Sequence, residues 1–146
     1  MDIGYTKGFI SKVSPHRNMN TQRMFNELIT NEGFTYIPNE DVFINNGNYL
    51  DYSRYSVGKI EGDFFEIIFD NNHQLKFGLI RGINAVMDYL LSIGEENPMF
   101  GGWLDGNRLV IDAIELHDTF IDAIKVGNKN NQDYIFDFKI MDTIPL

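Results

Sequence analysis

Cysteine is absent from this 146-residue chain. Its absence removes disulfides, thiolate zinc sites and cysteine nucleophiles in one step. Long apolar runs are also missing: Asp, Glu, Lys or Arg interrupts every candidate before it reaches the ~20 residues needed to span a bilayer. The opening residues MDIGYTKGFISKV lack the basic stretch and apolar run of a signal peptide, so a cytoplasmic protein is expected. Basic residues are in deficit. The formal net charge of −9 repels a phosphate backbone and disfavours general nucleic-acid binding. Alanine stands only at 85, 113 and 123 while Asn and Ile abound, the bias that the AT-rich coding sequence of a low-GC bacterium or its phage produces.

What is present suffices for a core. The hydrophobic fraction is 43% and the aromatic fraction 14%. A domain of this length buries roughly 68–70% of the surface its unfolded chain exposes. One domain over residues 1–146 is therefore expected. The charge is unevenly spread. Lys7, Lys12, Arg17 and Arg23 against Asp2 and Glu27 leave residues 1–31 at +2. Residues 32–100 carry −7 and residues 101–146 carry −4. Such a surface serves solubility, and it also suits a basic protein partner.

Residues 5–13 alternate in the manner of a strand, and Ser14-Pro15 breaks it. Met24, Phe25, Leu28 and Ile29 share one helical face within 20–32; Asn20 is placed to cap that helix and Gly33 to end it in a left-handed conformation. Residues 34–37 and 41–44 read as short strands, and 45–48 (NNGN) as a turn. Tyr49, Tyr52 and Tyr55 follow at spacing three, in a loop or a single helical turn. Residues 63–69 and 74–80, around Asp70-Asn71-Asn72-His73, predict a hairpin, and 83–93 predicts an amphipathic helix closed by Gly94. Residues 101–104, the turn at 105–107, a strand over 108–116, a helix capped by Asp118 and a strand over 134–139 make a C-terminal β-β-α-β unit. The expected fold class is α+β, a mostly antiparallel sheet packed by two or three helices.

Catalytic signatures are few. No Gly-x-x-x-x-Gly-Lys loop, Gly-x-Gly-x-x-Gly turn or Gly-x-Ser-x-Gly elbow occurs. The three histidines, His16, His73 and His117, are not in zinc-ligand spacing. Glu115 and His117 lie on one strand face near Asp112 and Asp118, where a divalent ion or merely a solvated strand end is conceivable. Asp70-Asn71-Asn72 lacks the Gly and Glu of a calcium loop. Ser14 beside His16 has no supporting motif, and helix capping is its simpler role. No catalytic residue, metal ligand or cofactor is assigned.

The segment from Gly101 to Phe138 resembles the tails of small phage and mobile-element proteins, in which a Gly-Gly-Trp, a hairpin, an Asp-capped helix, an Asn-Gln pair and an Ile-Phe-Asp strand recur. Here these are Gly101, Gly102, Trp103, Asp118, Ala123, Gly127, Asn131, Gln132, Ile135, Phe136 and Asp137. Phage proteins of this size and charge include inhibitors of bacterial immunity such as anti-CRISPR proteins. The resemblance implies a phage setting and carries over no catalytic residue. A non-enzymatic protein that binds and inhibits a host protein, for instance a nucleic-acid-guided nuclease, is the leading expectation. Tyr49, Asp51, Tyr52, Tyr55 and Trp103 are its candidate partner-binding residues, because tyrosines offer large contact area with few rotors to freeze. A small enzyme or ligand-binding domain with a dispersed site, and a homo-oligomeric accessory protein, are the alternatives.

Overall fold

The computed structural model describes residues 21–146; the strand and cap expected at 5–13 and Asn20, the break at Ser14-Pro15, and His16 lie outside these. The first element is a helix, α1 (Thr21–Asn31), whose Met24 and Leu28 are fully buried one turn apart. It closes at Glu32, which takes φ 64° and donates its N–H to the Leu28 carbonyl at 2.9 Å. The left-handed position is thus Glu32, not Gly33. Gly33 instead opens strand β1 (Gly33–Ile37), where a Cβ would stand 3.2 Å from the Gly102 carbonyl oxygen. Close approach to the neighbouring strand, not helix termination, is what glycine eases there.

Strand β2 (Val42–Phe43) folds back on β1, and a 3-10 turn (Tyr49–Asp51) follows. Next come β3 (Tyr55–Gly58), β4 (Phe65–Ile68), the long helix α2 (Asn72–Ser92), β5 (Phe100–Asp105), β6 (Arg108–His117), α3 (Phe120–Lys129), β7 (Tyr134–Asp137) and β8 (Asp142–Pro145). All strand pairs are antiparallel and run in the order β2-β1-β5-β6-β3-β7-β8, with β4 also paired to β6. The fold is the expected α+β architecture, a curled antiparallel sheet with three α-helices among the described residues. β8, which forms a hairpin with β7, adds a strand beyond the expected β-β-α-β unit.

The hairpin expected from 63–69 and 74–80 does not form. Only its first arm is a strand, β4, while residues 74–80 belong to the first half of α2. Two local features decide this. The Asn71 side chain accepts the Gln74 N–H at 2.9 Å and the Gln74 side chain accepts the Asp70 N–H at 2.7 Å, a reciprocal cap. Leu75 and Leu79 then continue the stripe of Ile83, Val86 and Leu90, all buried at helical spacing. Gly78 and Gly82 lie on the sheet side. A Cβ at Gly82 would meet Ile111 at 2.7 Å, so the glycines let the helix lie close to the sheet.

β6 is the axis of the sheet. One of its edges holds β5, and the other holds β4 and β3 end to end. Between those two, residues 59–64 stand opposite only Asp112 and Ala113. Leu109, Ile111 and Ala113 pack under α1 and α2, and Tyr55, Val57 and Ile135 pack under α3. The opposite face carries a third cluster, Ile37, Ile44 and Phe138, with Tyr49, Tyr52 and Phe136 at its border. The cap of α3 is Thr119, which accepts the Asp122 N–H at 3.2 Å, rather than Asp118, whose carboxylate takes the Ser53 hydroxyl at 2.8 Å.

Candidate functional site

The tyrosine-rich segment is a braced turn. Asn48 Oδ1 accepts the Asn45 N–H at 2.8 Å, and Asn48 Nδ2 donates to the Phe43 carbonyl at 2.8 Å. Asn45 Oδ1 in turn accepts the Gly47 N–H at 2.8 Å. These side-chain bonds fix the approach to the 3-10 turn, which closes with Tyr52 N–H on the Tyr49 carbonyl at 2.9 Å. Tyr49 and Tyr52 both turn inward onto the cluster of Ile37, Ile44 and Phe138. Leu50 and Asp51, held between them, face solvent, and Leu50 is 86% exposed.

Hydrogen bonds to carboxylates hold the borders of this turn. The Tyr52 hydroxyl donates to Glu40 Oε1 at 3.0 Å. That bond to an anion, with burial and the charges of Glu40 and Asp51 in support, raises the Tyr52 pKa. Nearby, the Tyr36 hydroxyl donates to Asp41 Oδ1 at 2.5 Å, and Arg23 reaches the same oxygen at 2.9 Å. Burial first, then the Asp41 bond, raises Tyr36; the Tyr36 hydroxyl and Arg23 lower Asp41. On the exit side, Arg54 forms two parallel bonds to buried Asp137, Nε to Oδ1 at 3.0 Å and the terminal nitrogen to Oδ2 at 2.9 Å. The Arg54 guanidinium holds Asp137 below the usual carboxylate range. The Arg54 carbonyl also accepts the Phe138 N–H at 2.9 Å.

Phe138 brings a second element to the same border. Two residues on, Ile140 and Met141 form the turn into β8, and both are exposed. Both turns are anchored in the third core cluster, one through Tyr49 and Tyr52 and the other through Phe138, and each exposes apolar residues, Leu50 on the first and Ile140 and Met141 on the second. The Leu50 tip, beside Asp51 on the rim of a turn fixed by hydrogen bonds, is therefore held in one place.

The candidate residues separate on this map. Tyr49, Asp51 and Tyr52 share the rim. Tyr55 does not: it is 5% exposed under α3, against Phe120 and with the Arg54 guanidinium over its ring. Spacing three brings Tyr49 and Tyr52 together only while the turn lasts. Once β3 begins at Tyr55, the strand's alternation sends the side chain to the helix-covered face. Trp103 is 36% exposed and paired with Gly33 and Val110. It lies at the opposite end of β1 from Ile37, roughly 13 Å away at strand spacing. Its preceding glycines serve packing, since a Cβ at Gly102 would meet the Phe34 ring at 2.8 Å. Leu50 is the rim residue that tyrosine spacing did not single out; its signal was an aliphatic residue set between Tyr49 and Asp51.

The metal alternative at the end of β6 does not assemble. His117 Nε2 lies 2.8 Å from Glu115 Oε1, but Asp112 points to the other face and Asp118 bonds Ser53. No group of three potential metal ligands occurs among the described residues. Asp112 has a different role. It is 2% exposed and accepts the Phe64 N–H at 2.6 Å, closing the chain excursion between β3 and β4. Burial, with Asp63 nearby adding to it, pushes its carboxyl up to about 7 against the opposing Phe64 bond.

The chain matches no family model, no curated protein and no solved structure.

Proposed function

We propose that this is a non-enzymatic binding protein of a phage or mobile element that engages and inhibits a host protein through the rim of its 3-10 turn. One observation carries the reading. Leu50 is 86% exposed on a turn braced by the Asn45 and Asn48 bonds and by two inward-facing tyrosines. An isolated exposed leucine is ordinary, but one held rigidly, with exposed Ile140 and Met141 on a second turn anchored in the same core cluster, is an apolar surface that a partner would desolvate. The surrounding carboxylates and the net charge of −9 favour a basic partner surface. The nucleic-acid channel of a guided nuclease has that character, and the resemblance of the C-terminal segment to phage proteins supports the setting. Inhibition then follows from occluding the partner's own substrate.

The test is capture of host proteins from nuclease-treated lysate on the tagged wild type and on a Leu50→Ser, Asp51→Lys variant. The wild type retains one stoichiometric partner, and the variant, with an unchanged melting curve, binds it about tenfold or more weaker. A partner held equally by both removes the rim from the reading. An empty wild-type lane removes the stable-partner reading and favours a small-ligand site.

A further inference from the structure

Among the described residues the sheet has an open edge at β4. In the β4–β6 ladder, Phe69 N–H bonds the Asn107 carbonyl at 2.9 Å, so residues 69, 67 and 65 point their backbone groups at β6. By alternation, the N–H and C=O groups of Glu66 and Ile68 point away from β6. β7 covers the corresponding edge of β3, but no described strand covers that of β4. Ile68 is 64% exposed and Glu66 is exposed. Phe65 and Ile67, half-buried, lie on the alternate face.

Charge selects the occupant. Arg108 is shared among Asp63, Glu66 and Asp105, so one cation meets three carboxylates; Glu61 and Asp70 flank the strand in sequence, and the second cation at β4, Arg81 over the Phe65 ring, leaves the acids in excess. A second copy paired across a two-fold axis would set these acids against themselves. A nucleic acid would be repelled likewise. We propose that the β4 edge accepts an extended, alternating basic and apolar segment of a partner protein as an added strand. Main-chain bonds to Glu66 and Ile68 supply the register, apolar side chains lie beside Phe65 and Ile67, and a Lys or Arg lies beside Glu66. This surface lies at the opposite end of β6 from the Leu50 rim and does not depend on that reading.

A labelled peptide of alternating Lys and Val, titrated into the full-length protein and mapped by amide chemical shifts, tests it. A Glu–Val peptide serves as the acidic counterpart. Saturable Lys–Val binding with shifts at 64–69, weakened by salt, is expected; the Glu–Val peptide does not bind. Ile68→Pro removes an outward N–H without touching the β6 ladder, and affinity falls roughly tenfold, the scale of one main-chain hydrogen bond. If that variant melts early, Glu66→Lys replaces it and reverses the preference between the two peptides. The Leu50→Ser, Asp51→Lys variant binds the Lys–Val peptide as the wild type does, so the two surfaces fail or succeed separately. Absence of saturation, shifts confined elsewhere, equal binding of both peptides, or indifference to both edge variants overturns the inference.

Discussion

Replacing Asp112 by Asn isolates the energetic cost of one buried carboxyl. The asparagine has nearly the same shape, and its Oδ1 can still accept the Phe64 N–H. What it loses is the ability to ionise. The folded-state pKa is raised from 3.8 to about 7, a difference of about 3 units, worth about 4 kcal/mol at about 1.4 kcal/mol per unit. Because the folded value lies above the unfolded one, the contribution is fully present below about pH 4 and erodes as pH rises. It is lost once pH passes the folded value near 7. Asp137, Glu95 and Asp41, whose values are lowered, act in a separate window: their stabilisation is present above the unfolded carboxylate range and is lost on acidification below it. The difference between the urea unfolding profiles of the two proteins from about pH 4.5 to 8.5 therefore reads Asp112, since every other titrating group is common to both. The wild type loses stability across that interval, and Asp112→Asn loses much less, overtaking it by pH 8. Parallel profiles for the two proteins would falsify the assignment of the slope to Asp112.

Two further perturbations probe the frame that carries the rim and the sheet. Arg54→Met leaves the buried Asp137 carboxylate with the Lys139 N–H and no guanidinium; a loss of about 2–3 kcal/mol is expected, discounted because Arg54 is itself partly exposed. Its unfolding midpoint in urea should fall with an unchanged denaturant slope, and its acid transition should move to higher pH as Asp137 returns toward the ordinary range. Asn71→Ala removes the α2 cap and should cost about 1 kcal/mol by thermal melting, with no effect on capture by the rim; a neutral result would mean that the Gln74 bond to Asp70 alone secures the helix start.

The periodicities in the sequence located elements better than they located faces. The C-terminal unit was legible because Asp105-Gly106-Asn107 marks its turn and residues 108–116 form a β-rich run. Residues 74–80 misled because Leu75, Phe77 and Leu79 satisfy strand alternation, whereas the helix buries only Leu75 and Leu79 and leaves Phe77 exposed, and the capping pair around Asn71 decided the matter. Asp112 lies in an otherwise apolar strand, and nothing local announces that the chain detours between β3 and β4 by residues 59–64 to hydrogen-bond it. The rim shows the same limit from the other side. Tyr49, Tyr52 and Tyr55 look equivalent in sequence, yet two brace a turn and the third is buried beyond it. Large aromatic area is therefore a reason to expect anchoring before it is a reason to expect contact with a partner. In this fold the tyrosines supply the rigidity and the neighbouring leucine and aspartate supply the exposed surface, so a search for binding residues here should begin beside the aromatic side chains rather than on them.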